Sequence, residues 1–123
     1  MLLAGSRALG VESDCIPRIA TGFGGGIGKQ GEVCGAVSGG VMVIGLLRGR
    51  MRGNDKAAKE AAYATAAEFM DRFLEANGAV RCRELLQIEF DDPGGLETYR
   101  SQNLKGEVCE AAVRSAVRIL LDP

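Results

Sequence analysis

Apolar and polar residues recur along most of the chain with the spacing of amphipathic helices. The longest pattern covers residues 55–76, where Asn54 or Asp55 can cap the start and Asn77-Gly78 closes the end. Five apolar residues fall on one of its faces: Ala58, Ala62, Ala66, Phe69 and Phe73. Residues 106–121 carry a second amphipathic pattern, which predicts the final helix. The sequence therefore indicates an all-α fold, a compact bundle of about four to five helices.

Shorter elements are predicted at the N-terminal end of the chain. Residues 2–9 predict a helix that stops at a glycine. Ser13 or Asp14 can cap a second short helix, which tolerates Pro17 in its first turn. Residues 21–31 then predict a glycine-rich loop, which lies just before the central helix of the bundle.

The segments that follow the central and longest helices predict turns or short helices. Residues 48–54, "RGRMRGN", predict a basic turn whose position after a helix end suits the C-terminal helix dipole. Residues 80–90 predict a short helix or a helix followed by an extended segment, and "DDPGG" at 91–95 predicts a turn. Neither an internal repeat nor a low-complexity linker divides the chain, so we expect a single domain over residues 1–123.

The central helix is predicted over residues 33–47 and is rich in small residues. Its glycines are Gly35, Gly39, Gly40 and Gly45. Each costs about 1 kcal/mol relative to alanine in a helix, so close contact with another helix or a bound group must offset the cost. We therefore predict close helix packing at Gly35, Ala36, Gly39 and Gly40. The β-branched residues of "VMVIGLL", 41–47, leave a strand as the alternative.

Composition and charge narrow the classes of function. The 123 residues are 46% apolar and carry 15 basic and 16 acidic side chains, which excludes the strong positive field of a nucleic-acid-binding protein. The longest apolar stretch, 33–47, is shorter than the roughly 18–20 residues of a membrane-spanning helix, so no membrane span is predicted. The N-terminal residues lack the basic region and apolar core of a secretory signal, so a cytoplasmic location is expected.

The segment 22–40 is nearly half glycine. "GIGKQG" at 26–31 matches the GxGxxG dinucleotide pattern, but no strand precedes it and no acidic residue follows at ribose-binding distance. The phosphate-loop pattern fails too, since Phe23 replaces its first glycine and Gln30 follows its lysine. Backbone amides before a helix start can still cradle an anion, and the predicted cradling residues are Gly24, Gly25, Gly26, Gly28 and Lys29. A purely structural turn explains the glycines equally well.

Four cysteines and no histidine make up the distinctive chemistry of the chain. Their spacings of 19, 48 and 27 residues contain no CxxC pair, so a zinc finger is excluded. Cys34 and Cys109 are predicted in the first turns of their helices, and Cys82 lies between Arg81 and Arg83. Helix N-termini and neighbouring cations lower a thiol pKa, so we expect these three cysteines to favour the thiolate. The alternative is that they are small buried side chains of the core.

Three segments around the cysteines resemble those of a known family. "GFGGGIGKQGEVCGAVSGG", then "RCRELL" and "GEVCEAAV", are similar to the redox-active family named for its C…GCAxxG…C…C pattern of four cysteines. The resemblance covers the chain from about Thr21 to the C-terminus. It implies that Cys34 is the cysteine of the central motif and that Cys82 and Cys109 are the third and fourth. It also implies a small helical protein whose reaction is not established.

The first cysteine of the family pattern has no counterpart in this sequence. In the family it lies in the N-terminal helix, far ahead of the central cysteine, whereas Cys15 is too close and lies beyond that helix. "MLLAGSRALG" resembles the continuation of the family helix. The family cysteine would therefore precede Met1, or this member lacks it, and Cys15 is an additional thiol.

We interpret the chain as a redox-active or metal-binding protein in which Cys34, Cys82 and Cys109 converge near the glycine loop. Thiolates without histidine favour an iron–sulfur cluster, with zinc or a dithiol/disulfide couple as the alternatives. The sequence leaves open whether the chain is an oxidoreductase or an electron-transfer component. The expected partners are a redox partner protein and a second copy of the chain.

Two further hypotheses come from other classes of protein. A non-catalytic helical binding module would hold an anionic small ligand at the glycine loop and use its cysteines as core residues. A homodimerisation module would pack the glycine face of residues 35–45 against its own copy. Gly39→Leu would then convert the dimer to a monomer.

Overall fold

The computed structural model describes residues 1–122 and contains six α-helices. They are α1 (Leu2–Ala8), α2 (Gly35–Arg48), α3 (Lys56–Asn77), α4 (Cys82–Leu86), α5 (Pro93–Ser101) and α6 (Glu110–Leu121). A 3₁₀ helix covers Arg18–Phe23, and a π-helical turn at Lys105–Cys109 leads directly into α6. This part of the chain contains no strand, so the predicted all-α fold is confirmed and the alternative of a strand over 41–47 is wrong.

The core lies where α2, α3 and α6 pack against one another. Its buried residues are Ala36, Val37 and Ile44 from α2, Phe69 and Phe73 from α3, and Ala112 and Ala116 from α6. The predicted apolar face of α3 is confirmed, with both phenylalanines buried and the alanines half-buried. The predicted cap is also confirmed, because the Asp55 carboxylate accepts a hydrogen bond from the Ala58 amide at 3.0 Å.

Two glycines of α2 are sites of close helix packing, as predicted. A Cβ added at Gly39 would lie 2.7 Å from the Cβ of Met1, at the start of α1. A Cβ added at Gly40 would meet the ring of Phe69 on α3. The absence of side chains at these positions lets both neighbouring helices approach the α2 backbone, which offsets the conformational cost of glycine.

The other small residues of α2 differ from these two. Ala36 is buried in the core, whereas a Cβ at Gly35 would make only an ordinary contact, 3.5 Å from the carbonyl oxygen of Phe23. A Cβ at Gly45 would meet nothing within 4 Å. The central glycines of this face, Gly39 and Gly40, are covered by α1 and α3 of the same chain, so they are not free to contact a second copy. A homodimer stays a prediction.

Two predicted local structures differ from those observed. Ser13 and Asp14 cap no α-helix; the Ser13 hydroxyl accepts a hydrogen bond from the Cys15 amide at 3.2 Å, which favours a local turn over a helix, and the 3₁₀ helix begins only after Pro17. The turn predicted at 91–95 is confirmed only at residues 91 and 92, and α5 begins at Pro93. Pro93 occupies a first-turn position there, and the Asp92 side chain caps the helix. None of the helices within residues 1–122 has both the length and the apolar character needed to cross a bilayer.

A candidate site of three cysteines

An isolated antiparallel β-bridge between Val33 and Arg81 joins the end of the glycine loop to the segment before α4. The Cys34 amide donates to the carbonyl of Val80 at 2.8 Å, and the Cys82 amide donates to the carbonyl of Glu32 at 2.7 Å. Side chains alternate between the two faces of such a pair, so Cys34 and Cys82 belong to the same face. Backbone hydrogen bonds thus bring together two thiols that are far apart in the sequence.

The glycine loop forms a left-handed turn against Cys82. Residues 25–29 all have positive φ, between 57° and 70°, and two of them, Ile27 and Lys29, are not glycine. A Cβ added at Gly26 would lie 2.6 Å from the amide nitrogen of Glu32 and 2.8 Å from the Cβ of Cys82. Gly26 is therefore required both by its backbone conformation and by the close approach of Cys82.

Most of the backbone amides from Gly28 onward already donate hydrogen bonds within the loop. The amides of Gly28 and Lys29 donate to the carbonyls of Gly22 and Gly24, at 2.9 Å and 3.3 Å, and the Glu32 amide donates to Gly26 at 3.0 Å. The amides of Gly28 and Lys29 are therefore not free to bind an anion in this conformation. For Gly24, Gly25 and Gly26, and for the Lys29 side chain, ligand cradling stays a prediction.

The two arginines beside Cys82 bind the glycine loop and its end. Arg83 donates to the carbonyls of Gly31 and Gln30, at 3.2 Å and 2.7 Å, and pairs with the Glu32 carboxylate at 3.2 Å. Arg81 approaches the same carboxylate at 3.7 Å. Both guanidinium groups pair with the Glu32 carboxylate, so they stabilise the glycine loop more than a thiolate at Cys82.

Cys82 belongs to a second cluster of apolar side chains, and Cys109 packs against that cluster. Cys82 is only 7% exposed and is buried with Leu86, Ile88 and Leu104. Cys109 is half-buried and packs against this cluster, while its other side lines an open groove with Lys105, Glu110, Val113 and Arg114. One thiol of this pair is therefore in contact with solvent, and the other is in the interior.

The helix around Cys109 starts earlier than predicted. Residues 105–109 form the π-helical turn, in which the Glu110 amide donates to the carbonyl of Lys105. Cys109 lies at the end of this turn and not in the first turn of the helix, so the free amides of a helix start are not available to it. π-Helical turns occur frequently at functional sites because they change the direction in which side chains project.

The predicted preference for thiolate is wrong at all three cysteines, because burial is the larger effect. Burial raises the pKa of Cys34, and the amides of Ala36 and Val37 at the start of α2 offset only part of the rise. Burial, with smaller effects from the charges of Cys34 and Cys109, raises the pKa of Cys82 to about 12. Burial also raises the pKa of Cys109. The charges of Cys34 and Cys109 act on Cys82, and the charge of Cys34 acts on Cys109, so the three thiols lie in one neighbourhood.

Tyr99 is a member of this site that the sequence did not reveal. Its hydroxyl lies 4.0 Å from the Sγ of Cys109, and its hydrogen bond lowers the pKa of Cys109 against the effect of burial. The pKa of Tyr99 itself is raised by burial and by the charges of Cys109 and Cys82. Because residues 91–95 were predicted as a turn, no helix was expected that would carry Tyr99 toward Cys109.

Cys15 lies apart from the other three cysteines. It is exposed in the turn before the 3₁₀ helix, whereas Cys34, Cys82 and Cys109 are all at least half-buried in side-chain clusters. Within residues 1–122 no three Cys, His, Asp or Glu side chains are arranged closely enough to hold a metal ion. Within this part of the chain the cysteines are therefore not arranged as a preformed iron–sulfur or zinc centre. Their convergence in one site stays a prediction.

Stability at alkaline pH tests the burial of Cys82. Folding raises the pKa of this thiol from 9.0 to about 12, so its stabilising contribution is complete below pH 9 and is lost as the pH rises toward 12. We expect the free energy of unfolding, measured by urea denaturation, to fall over this range and to fall less in Cys82→Ala. Cys15→Ala, at the exposed thiol, should keep the wild-type slope; equal slopes in both variants would contradict the assignment.

The sequence blocks around these cysteines are shared with a described family. The family model "Putative redox-active protein (C_GCAxxG_C_C)" matches residues 1–122, which include the glycine loop and all four cysteines. An "Uncharacterized protein" of Archaeoglobus fulgidus is 32% identical over 73 residues. The similarity covers 54% of this chain and 48% of the archaeal protein, so the chain spans about half the length of that relative. No solved structure matches the chain.

Proposed function

The chain belongs to the family "Putative redox-active protein (C_GCAxxG_C_C)", and from this premise we propose that it is a dithiol–disulfide redox protein with Cys109 and Cys82 as its redox pair. One observation carries the proposal: a half-buried thiol at a surface groove packs against the cluster that contains a buried thiol. Cys109 is accessible to a reacting molecule in the groove. Cys82 then attacks Cys109 from the interior of the protein.

The proposed reaction reduces an external disulfide, RSSR. Cys109 loses its proton and its thiolate attacks one sulfur of RSSR; the S–S bond breaks, and the departing RS⁻ takes up a proton to give RSH. Cys82 then loses its proton and attacks the Sγ of Cys109 in the mixed disulfide, which releases the second RSH in the same way. Two protein thiols become one disulfide, and two electrons pass to RSSR, which becomes two thiols.

Three features support Cys109 as the attacking thiol. It borders the open groove, its Sγ lies 4.0 Å from the Tyr99 hydroxyl, and Lys105 lowers its pKa, after burial has raised it. Hydrogen bonds and cations that favour the thiolate are the usual means of activating a cysteine. Cys34 has a different place in the proposal: an ionised Cys34 would raise the pKa of both Cys82 and Cys109, but burial raises the pKa of Cys34 itself and so favours its protonated form.

Disulfide mapping tests the pair. Reduced protein is incubated with excess 2-hydroxyethyl disulfide, quenched in acid and analysed by peptide mass spectrometry. We expect a Cys82–Cys109 disulfide in the wild type. Cys82→Ser should stop at the mixed disulfide on Cys109, because the second attacking thiol is missing. Cys109→Ser should leave Cys82 reduced, because no reagent reaches the interior thiol.

Cys15→Ser is the matched control, since it removes a thiol outside the site and should still form the Cys82–Cys109 disulfide. A mixed disulfide on Cys15 alone, or a Cys34–Cys82 disulfide, would contradict the assigned pair. The predicted iron–sulfur or zinc site is tested separately by iron, sulfide and zinc analysis after anaerobic purification. Stoichiometric metal would replace the dithiol proposal.

A further inference from the structure

One exposed segment outside the cysteine site combines apolar and basic side chains, and we refer to residues 46–52 as the Arg-rich patch. Its apolar members are Leu46, Leu47 and Met51, which are 46%, 50% and 98% exposed. Its basic members are Arg48, Arg50 and Arg52. Leu47 and Arg48 also line a cavity between α2, α3 and α6. Elsewhere in residues 1–122 the large exposed apolar side chains stand singly along the sequence. The patch is therefore unusual in this molecule.

The positive charge of the patch is not neutralised by the rest of the chain. None of its three arginines makes an ion pair within residues 1–122, and Arg50 donates only to the carbonyl of Gly53 at 2.8 Å. The first acidic residue after the patch is Asp55, which caps α3. The whole chain carries a formal net charge of −1, so the remainder is acidic and would be repelled by an anionic surface.

We propose that the Arg-rich patch binds the surface of an anionic lipid bilayer. Met51 and the two leucines enter the boundary between headgroups and acyl chains, and the arginines bind lipid phosphates. Basic residues next to such a surface are attracted by its negative potential. The acidic remainder of the chain favours one orientation, in which only the patch touches the membrane.

A bilayer fits the patch better than a protein partner does. Stable protein interfaces take roughly 20–30 residues from each side and depend on aromatic anchors in pockets, whereas this patch has seven residues and no aromatic side chain. The patch also lies at the opposite end of α2 from Cys34, about 20 Å away for a helix of this length. A molecule bound at the patch would leave the three thiols uncovered, which suits an anchor and not an electron partner.

Vesicle sedimentation tests the proposal with the full chain. Wild-type protein is mixed with vesicles of phosphatidylcholine containing 30% phosphatidylglycerol, or with phosphatidylcholine alone. We expect binding to the anionic vesicles only, weakened at least tenfold when salt rises from 50 to 500 mM. Arg50→Ala and Arg52→Ala should each weaken binding about fivefold, and Met51→Asp should weaken it at least as much.

Matched controls lie on other surfaces of the molecule. Arg100→Ala removes an exposed cation and Ile19→Asp changes an exposed apolar residue, and both should bind like the wild type. Circular dichroism verifies that every variant is folded. Equal binding to both kinds of vesicle, or equal losses in patch and control variants, would overturn the proposal. No vesicle binding together with saturable binding to poly-glutamate would overturn it in favour of an acidic protein partner.

Discussion

Gly40→Ala is expected to lower the free energy of unfolding by up to about 2 kcal/mol, whereas Gly45→Ala, in the same helix, is expected to raise it by up to about 1 kcal/mol. The two substitutions add the same methyl group to α2, so intrinsic helix propensity improves in both. Only the surroundings differ. An added Cβ at Gly40 meets the ring of Phe69, 2.7 Å from its Cε1, and one at Gly45 meets nothing within 4 Å.

The ring of Phe69 has little freedom to move away. It is 3% exposed and packs against Phe73, with ring centroids 6.4 Å apart. Overpacking a core costs about 1–3 kcal/mol, of which the gain in helix propensity recovers about 1 kcal/mol. Urea denaturation followed by circular dichroism gives both free energies. If both variants were stabilised equally, the close contact between α2 and α3 would be refuted.

Gly26→Ala is expected to cost about 3 kcal/mol and to expose the site, whereas Gly28→Ala should cost only about 1 kcal/mol. Both glycines have positive φ, 70° and 57°, so the backbone cost of a side chain is similar. At Gly28 nothing lies within 4 Å of an added Cβ. At Gly26 the Cβ would be 2.6 Å and 2.7 Å from the backbone N and O of Glu32, and rigid backbone cannot give way as a side chain can.

Movement of the glycine loop away from Glu32 should also alter the cysteine site. To admit the methyl group, the loop must move from Glu32, whose carbonyl accepts the hydrogen bond of the Cys82 amide at 2.7 Å. We therefore expect Cys82 to react faster with iodoacetamide in Gly26→Ala than in Gly28→Ala, measured by peptide mass spectrometry under native conditions. Identical rates and identical stabilities in the two variants would show that the conformation of the glycine loop does not affect the cysteine site.

The helices with clear periodicity could be predicted from the sequence. The apolar face of α3, its Asp55 cap and its closure at Gly78 depend on local spacing and local hydrogen bonds, which the sequence contains directly. The same holds for the close approach at Gly39 and Gly40, since repeated glycines in a helix need packing to offset their cost. The partner in that packing was not predictable, because it depends on how α1 and α3 are placed in the fold.

The parts that the sequence did not predict depend on long-range contacts. The charges of Arg81 and Arg83 pointed to an activated Cys82, but both arginines pair with Glu32, which the fold brings from the other side of the bridge. Burial then decides the pKa of Cys82. The contact of Tyr99 with Cys109 likewise needs α5 and the π-helical turn, and neither has a strong pattern in the sequence.

The proposed function depends most directly on Cys82 and Cys109 acting as one two-electron couple. Wild-type protein equilibrated with mixtures of reduced and oxidised dithiothreitol, quenched in acid and alkylated, reports its free thiols by intact mass. We predict that two thiols disappear together, with the two-electron dependence of about 30 mV per tenfold change in ratio, and that Cys15 and Cys34 stay alkylated. Four alkylated cysteines at every ratio, or thiols lost one at a time, would contradict the account.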